Sequence, residues 1–170
     1  MVSYVSITIP ELYPYVLLMT GLTNFLCIIV GFMAGSKRKN IFSRDFMQQF
    51  DKDLQNTDGF SAANAEVPKG GYPDMGNGWY GQKLSYKDWF EFQLDQRSHK
   101  NFLEGITIVS FCALVCGLTY PELTLILISL YFVGRILYTA GYKSSPKARM
   151  FGAPIIMLVP VVMMVSTAVA

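Results

Sequence analysis

The chain has 170 residues, 52 % of them hydrophobic and 15 % charged, with a mean hydropathy of +0.33. Apolar runs of near-bilayer length leave too little material for a water-soluble core, so the composition excludes a soluble globular domain and points to an integral membrane protein. The net charge of +2 is too small to argue for nucleic-acid binding, and the three cysteines, all inside apolar runs, offer no disulfide framework.

In chain order, residues 1–12 form a lead, and the first run, Tyr13 to Gly35, is the first spanning helix of a segment 1–35. No small-residue cleavage pattern follows this run and no basic residue precedes it, so it is expected to remain as a span rather than be removed as a signal peptide. Pro10 and Pro14 sit at its start, where a missing amide proton costs least. Ser36-Lys37-Arg38-Lys39-Asn40 ends it at a basic interface, as a topological anchor or as a contact for an anionic ligand.

Residues 36–96 are the one extended polar stretch. Phe42, Phe46, Phe50 and Leu54 recur every four residues, which predicts a short amphipathic helix for a membrane surface or a partner. Val67 to Gly78 is turn chemistry without periodicity, and its glycines lack the Gly-Lys-Ser/Thr ending of a phosphate loop. Ser85 with Asp88 three residues on approximates a capping box that opens a helix.

Residues 97–170 hold the other three spans, Phe102 to Tyr120, Leu123 to Gly141 and Phe151 to Ala170. Thr119 to Glu122 permits only an antiparallel hairpin, and the short link Lys143 to Arg149 is basic. All fourteen Lys and Arg fall between Lys37 and Arg149, whereas residues 1–12 and 119–122 carry only Glu11 and Glu122. With four spans, the basic segments share one compartment, the cytosol or the mitochondrial matrix.

Arg97, Asn101 and Glu104 lie at i, i+4 and i+7 on one helix face, and Arg135, Tyr138 and Tyr142 make a second stripe on the next helix. Charges placed beside apolar runs are costly and therefore usually functional. Glu104 calls for Arg97 or Arg135 as a partner. The two stripes either hydrogen-bond helices together or line a pocket for a polar, anionic ligand whose other end lies in lipid. No metal site is expected, since Cys112 and Cys116 share a face but His99 is the only histidine.

Arg97-Ser98-His99-Lys100-Asn101-Phe102-Leu103-Glu104, followed by Gly134-Arg135-Ile136-Leu137-Tyr138-Thr139-Ala140-Gly141-Tyr142, resembles the signature of the MAPEG family, the membrane-associated proteins of eicosanoid and glutathione metabolism. Within it the resemblance is greatest to the type-three microsomal glutathione transferase and leukotriene-C synthase branch. It implies an all-α, four-helix integral membrane bundle, trimeric in the family manner, with glutathione as co-substrate and a lipophilic substrate or lipid reached from the membrane. Carried over by position, Arg97, Asn101, Glu104, Tyr138 and Tyr142 would hold glutathione; Arg135 joins that set, and Arg38 is a further contact from the end of the first helix. Arg149 matches the arginine that stabilises the thiolate. Two departures stand out: the first connection is far longer than usual, and Gly105 replaces a bulky residue often found after the glutamate.

The expected activity is glutathione transferase or peroxidase in the endoplasmic reticulum or a mitochondrial membrane. The alternative is a non-catalytic accessory subunit of a larger hetero-oligomeric membrane assembly, such as a respiratory complex, with the segment 41–95 as a docking element. A lipid-presenting protein without catalysis is a third possibility, opposed by the intact arginine and tyrosine set.

Overall fold

Long uninterrupted apolar stretches leave the backbone one way to satisfy its polar groups in lipid, which is the helix. The computed structural model, which describes residues 8–57 and 65–170, is accordingly helical. Its elements are α1 (Tyr13–Ile41), α2 (Arg44–Met47), α3 (Asp51–Gln55), α4 (Tyr86–Thr119), α5 (Pro121–Ser144) and α6 (Ala153–Ala168). Short 3₁₀ turns occupy Gln48–Phe50, Gly81–Lys83 and Ala148–Phe151. α1, α4 and α5 are long and apolar enough to cross a membrane. α6 has 16 residues, about 24 Å of helix, and falls short of the expected run Phe151 to Ala170. Phe151 is drawn into the 3₁₀ turn before it, and Gly152 then precedes a helix with Pro in its first turn.

The chain divides into two compact units, residues 1–29 with 98–170, and residues 30–97. In the first, polar side chains and small residues join the helices, as is usual where lipid removes the hydrophobic incentive to associate. Asn24 Nδ2 on α1 donates to Ser110 Oγ on α4 at 2.9 Å, and Tyr13 donates its hydroxyl to the Leu114 carbonyl at 3.2 Å. Tyr120 alone links α4 to α5, and the pairs Asn101 with Arg135 and Ser98 with Thr139 mark an antiparallel hairpin. Gly152 lets α6 approach α5 closely, since a Cβ there would lie 2.4 Å from the Gly134 carbonyl oxygen and 2.5 Å from the Tyr138 nitrogen. Cys116 reaches Thr167 Oγ1 at 3.1 Å, and all three cysteines are buried.

The second unit has an aromatic core of its own. Phe42, Met47, Phe50, Val67 and Phe92 are buried together, with Phe46, Leu54, Tyr80 and Leu84 packed against them. This corrects the expectation of one amphipathic helix presenting its phenylalanines to a membrane or partner. The expected single helix is broken twice, where α1 ends at Ile41 and Ser43 caps α2, and at the 3₁₀ turn Gln48–Phe50 that separates α2 from α3, and Phe42 and Phe50 are both buried in the core. Gly71 (φ +64°) and Gly76 (φ +104°) close the loop over these rings; a Cβ would meet Phe42 at 2.7 Å and Phe92 at 2.5 Å. Arg44 holds Asp51 through its two terminal guanidinium nitrogens, at 3.0 and 2.5 Å, and Asp51 also accepts the Val67 N–H at 2.9 Å. The Arg44 hydrogen bond keeps the Asp51 carboxyl below the usual carboxylate range. Ser85 caps α4 as anticipated, accepting the Asp88 N–H at 3.1 Å and donating to its carboxylate at 2.7 Å.

Candidate functional site

Ser98, Asn101, Phe102 and Gly105 recur at helical spacing on α4, and Tyr131, Arg135 and Thr139 do so on α5. The two faces meet at Arg135, which is only 3 % exposed. Its Nη1 donates to Asn101 Oδ1 at 2.8 Å, and its Nη2 donates to the Asn101 carbonyl at 3.2 Å and to the Tyr131 hydroxyl at 2.6 Å. The guanidinium also lies 4.6 Å from the Phe102 ring centroid and 4.9 Å from that of Tyr131. Buried charge is tolerable only when so enclosed by acceptors and aromatic faces. Among the described residues, Arg135 Nε is buried without a hydrogen-bond partner.

Nearer the basic end of α5, Tyr138 and Tyr142 are buried with ring centroids 5.5 Å apart. Gly141 admits the following segment, since a Cβ there would lie 2.4 Å from the Ala148 carbonyl oxygen. That approach brings Arg149 back over α5: its Nη1 donates to the Tyr142 hydroxyl at 3.4 Å, and its guanidinium lies 5.5 Å from the ring centroid. Arg149 itself remains exposed. The pair therefore offers a cation with spare donors beside a phenol, an arrangement suited to a developing anion.

The structure thus joins Asn101 to Arg135, and Tyr138 to Tyr142 and Arg149. Arg97 and Glu104 occupy exposed positions of α4. Arg38 is placed in the second unit, 5 % exposed, with its Nε donating to the Gly70 carbonyl at 2.6 Å and its Nη2 donating to the Asp74 carbonyl. The Tyr72 ring centroid is 4.2 Å from its guanidinium. Its Nε and Nη2 thus shape the loop. Asp74 anchors the same loop, accepting the N–H groups of Gly76 and Gly78 on Oδ1 at 2.6 and 2.8 Å, and that of Gly81 on Oδ2 at 2.6 Å. Burial pushes its carboxyl up, but those N–H groups, with that of Tyr80, outweigh burial and hold it below the usual range.

Sequence reasoning passed over Tyr131 and Asp74, and noted Gly105 only as a departure from the family pattern. Extending the Arg135 stripe by one further turn reaches Tyr131, so a signal existed for it. For Gly105 the sequence showed the missing bulk but not its reason, which is the Arg135 guanidinium thirty residues on.

An α-helical integral membrane protein with a buried arginine between two spans and a tyrosine–arginine cluster at one end of α5 is the class these features define. A family model, described as the MAPEG family, matches residues 15–169, and the chain belongs to that family. Membership places it among membrane proteins of glutathione and eicosanoid metabolism. No individual curated protein and no solved structure matches the chain.

Proposed function

We propose that this protein is a membrane-bound glutathione transferase or peroxidase that activates the glutathione thiol against lipophilic electrophiles or hydroperoxides. Arg97, Asn101, Glu104, Arg135, Tyr138 and Tyr142 hold glutathione, and Arg149 stabilises its thiolate. The observation that carries this reading is the exposed Arg149 guanidinium set against the Tyr142 hydroxyl. A free thiol with a pKa of about 8.5 is only a few per cent ionised at neutral pH, and a fixed cation favours the nucleophilic form. In conjugation the thiol proton passes to solvent, the sulfur lone pair forms the S–C bond, and the leaving group departs with its electron pair. In peroxide reduction the thiolate attacks oxygen, the O–O bond breaks to release an alcohol, and a second glutathione completes the disulfide and water. The reaction takes place in the endoplasmic reticulum or a mitochondrial membrane, by a trimer in the family manner. Purified protein in detergent should conjugate glutathione to a lipophilic aryl halide above the uncatalysed rate; no rate above background would contradict catalysis.

A second reading has an observation of its own. Tyr72, Met75, Trp79 and Tyr86 of the second unit are exposed, as docking to a larger membrane assembly would require. Native mass spectrometry of protein extracted from its own membrane separates the two: a chain found alone or as a homotrimer opposes the accessory role.

A further inference from the structure

Gly105 lies under two groups at once. A Cβ built on it would stand 2.7 Å from Arg135 Nη2 and 2.8 Å from the Tyr131 hydroxyl oxygen, well inside van der Waals contact. The space that a side chain would fill is therefore occupied by the hydrogen bond between Arg135 Nη2 and the Tyr131 hydroxyl, 2.6 Å long. Tyr131 is fully buried, its ring packed edge-on against Phe102 at 6.4 Å, so the phenol has little freedom to turn away. An arginine has five donors and no acceptor, so the Asn101 atom facing its Nη1 must be the carboxamide oxygen. That oxygen is committed at 2.8 Å. The Asn101 amide NH₂ is then the half of the side chain left to recognise something else, and Asn101 is only partly buried.

We propose that Tyr131 and Gly105 are paired positioning residues: they fix the Arg135 guanidinium, and through it turn Asn101 so that its amide presents donors to a ligand acceptor such as a carboxylate or peptide carbonyl. The inference rests on the glutathione-binding reading and adds two residues to it, neither of which touches the substrate. Tyr131 makes the shorter of the two hydrogen bonds of Arg135 Nη2, and without it that nitrogen is held only by the Asn101 carbonyl at 3.2 Å, so the fork is less firmly set. Gly105 keeps the cleft open for that contact.

Binding and coupling test this. Calorimetry of glutathione against the detergent-purified wild type comes first, followed by Tyr131→Phe, Asn101→Ala and the double variant. Tyr131→Phe should weaken glutathione binding about tenfold, the effect of one lost hydrogen bond. In the Asn101→Ala background the same change should matter by less than about twofold, because the group it positions is gone. A purely structural role would weaken both backgrounds equally. A ligand-free measurement accompanies it: Gly105→Ala should lower the thermal midpoint, and removing the Tyr131 hydroxyl that the new methyl meets should recover part of the loss. Unchanged affinity in Tyr131→Phe, equal losses in both backgrounds, or additive midpoints would each overturn the proposal. A wild type that binds no glutathione would defeat the functional reading and this inference with it. A wild type that binds while Tyr131 shows no coupling would defeat the inference alone.

Discussion

Asp74→Asn should loosen the loop of the second unit by an amount that can be worked from its contacts. The aspartate is 7 % exposed and takes three backbone N–H groups, two on Oδ1 and one on Oδ2. In the asparagine variant the carbonyl oxygen can keep Gly76 and Gly78, but the amide nitrogen would face the Gly81 N–H, donor against donor. One charge-assisted hydrogen bond is lost, about 1.5–3 kcal/mol, and two others weaken to neutral bonds. Allowing for relaxation and imperfect additivity, the local cost is about 2–4 kcal/mol. Hydrogen exchange followed by mass spectrometry over residues 65–84 should then run roughly 30- to 1,000-fold faster where local opening limits it. The pH dependence has a fixed sign. The folded loop holds the carboxyl below its unfolded value of about 3.9, so its contribution is complete above that value and drains away as pH falls through the lower folded one. Exchange within threefold of wild type at neutral pH, or wild-type protection that improves on acidification, would refute Asp74 as the anchor.

Other substitutions probe the first unit. Arg149→Ala should leave glutathione affinity within about threefold while slowing conjugation at least tenfold, because the cation acts chiefly once sulfur is charged; thiolate absorbance titrated against pH should shift upward in the variant. Gly152→Ala should destabilise the bundle by about 1–3 kcal/mol or more, since the added methyl meets backbone atoms of Gly134 and Tyr138 that cannot swing aside. Gly21→Ala, with nothing within 4 Å of its Cβ, is the control and should be neutral or raise the thermal midpoint.

The spans of α1, α4 and α5 were legible because membrane helices announce themselves by local composition, and the family was legible only through the resemblance of segments 97–104 and 134–142 to its signature. α6 was legible as an element but not in length, since the 3₁₀ turn that takes Phe151 depends on how Gly152 seats against α5. The second unit escaped for a different reason. Phe42, Phe46, Phe50 and Leu54 obey a helical period, yet what decides their fate is Val67 and Phe92, which arrive from elsewhere in the chain and leave no periodic trace. The loop contacts of Arg38 escaped with them. A basic residue after a span reads as an anchor or ligand contact, and nothing local reveals that the carbonyls of Gly70 and Asp74 will claim it. Arg135 with Asn101 is an intermediate case: their stripes could be drawn from spacing alone, but spacing offered Arg135 as a partner for Glu104, and its hydrogen bonds to Asn101 and Tyr131 emerge only in three dimensions.

Glutathione binding by the intact protein, measured by calorimetry alongside thiolate absorbance, tests the central reading most directly. Saturable binding, accompanied by thiolate at a pH where free glutathione is still mostly protonated, is the predicted result. Folded wild-type protein that takes up no glutathione, or binds it with the thiol ionising as it does in free solution, would contradict the proposed chemistry.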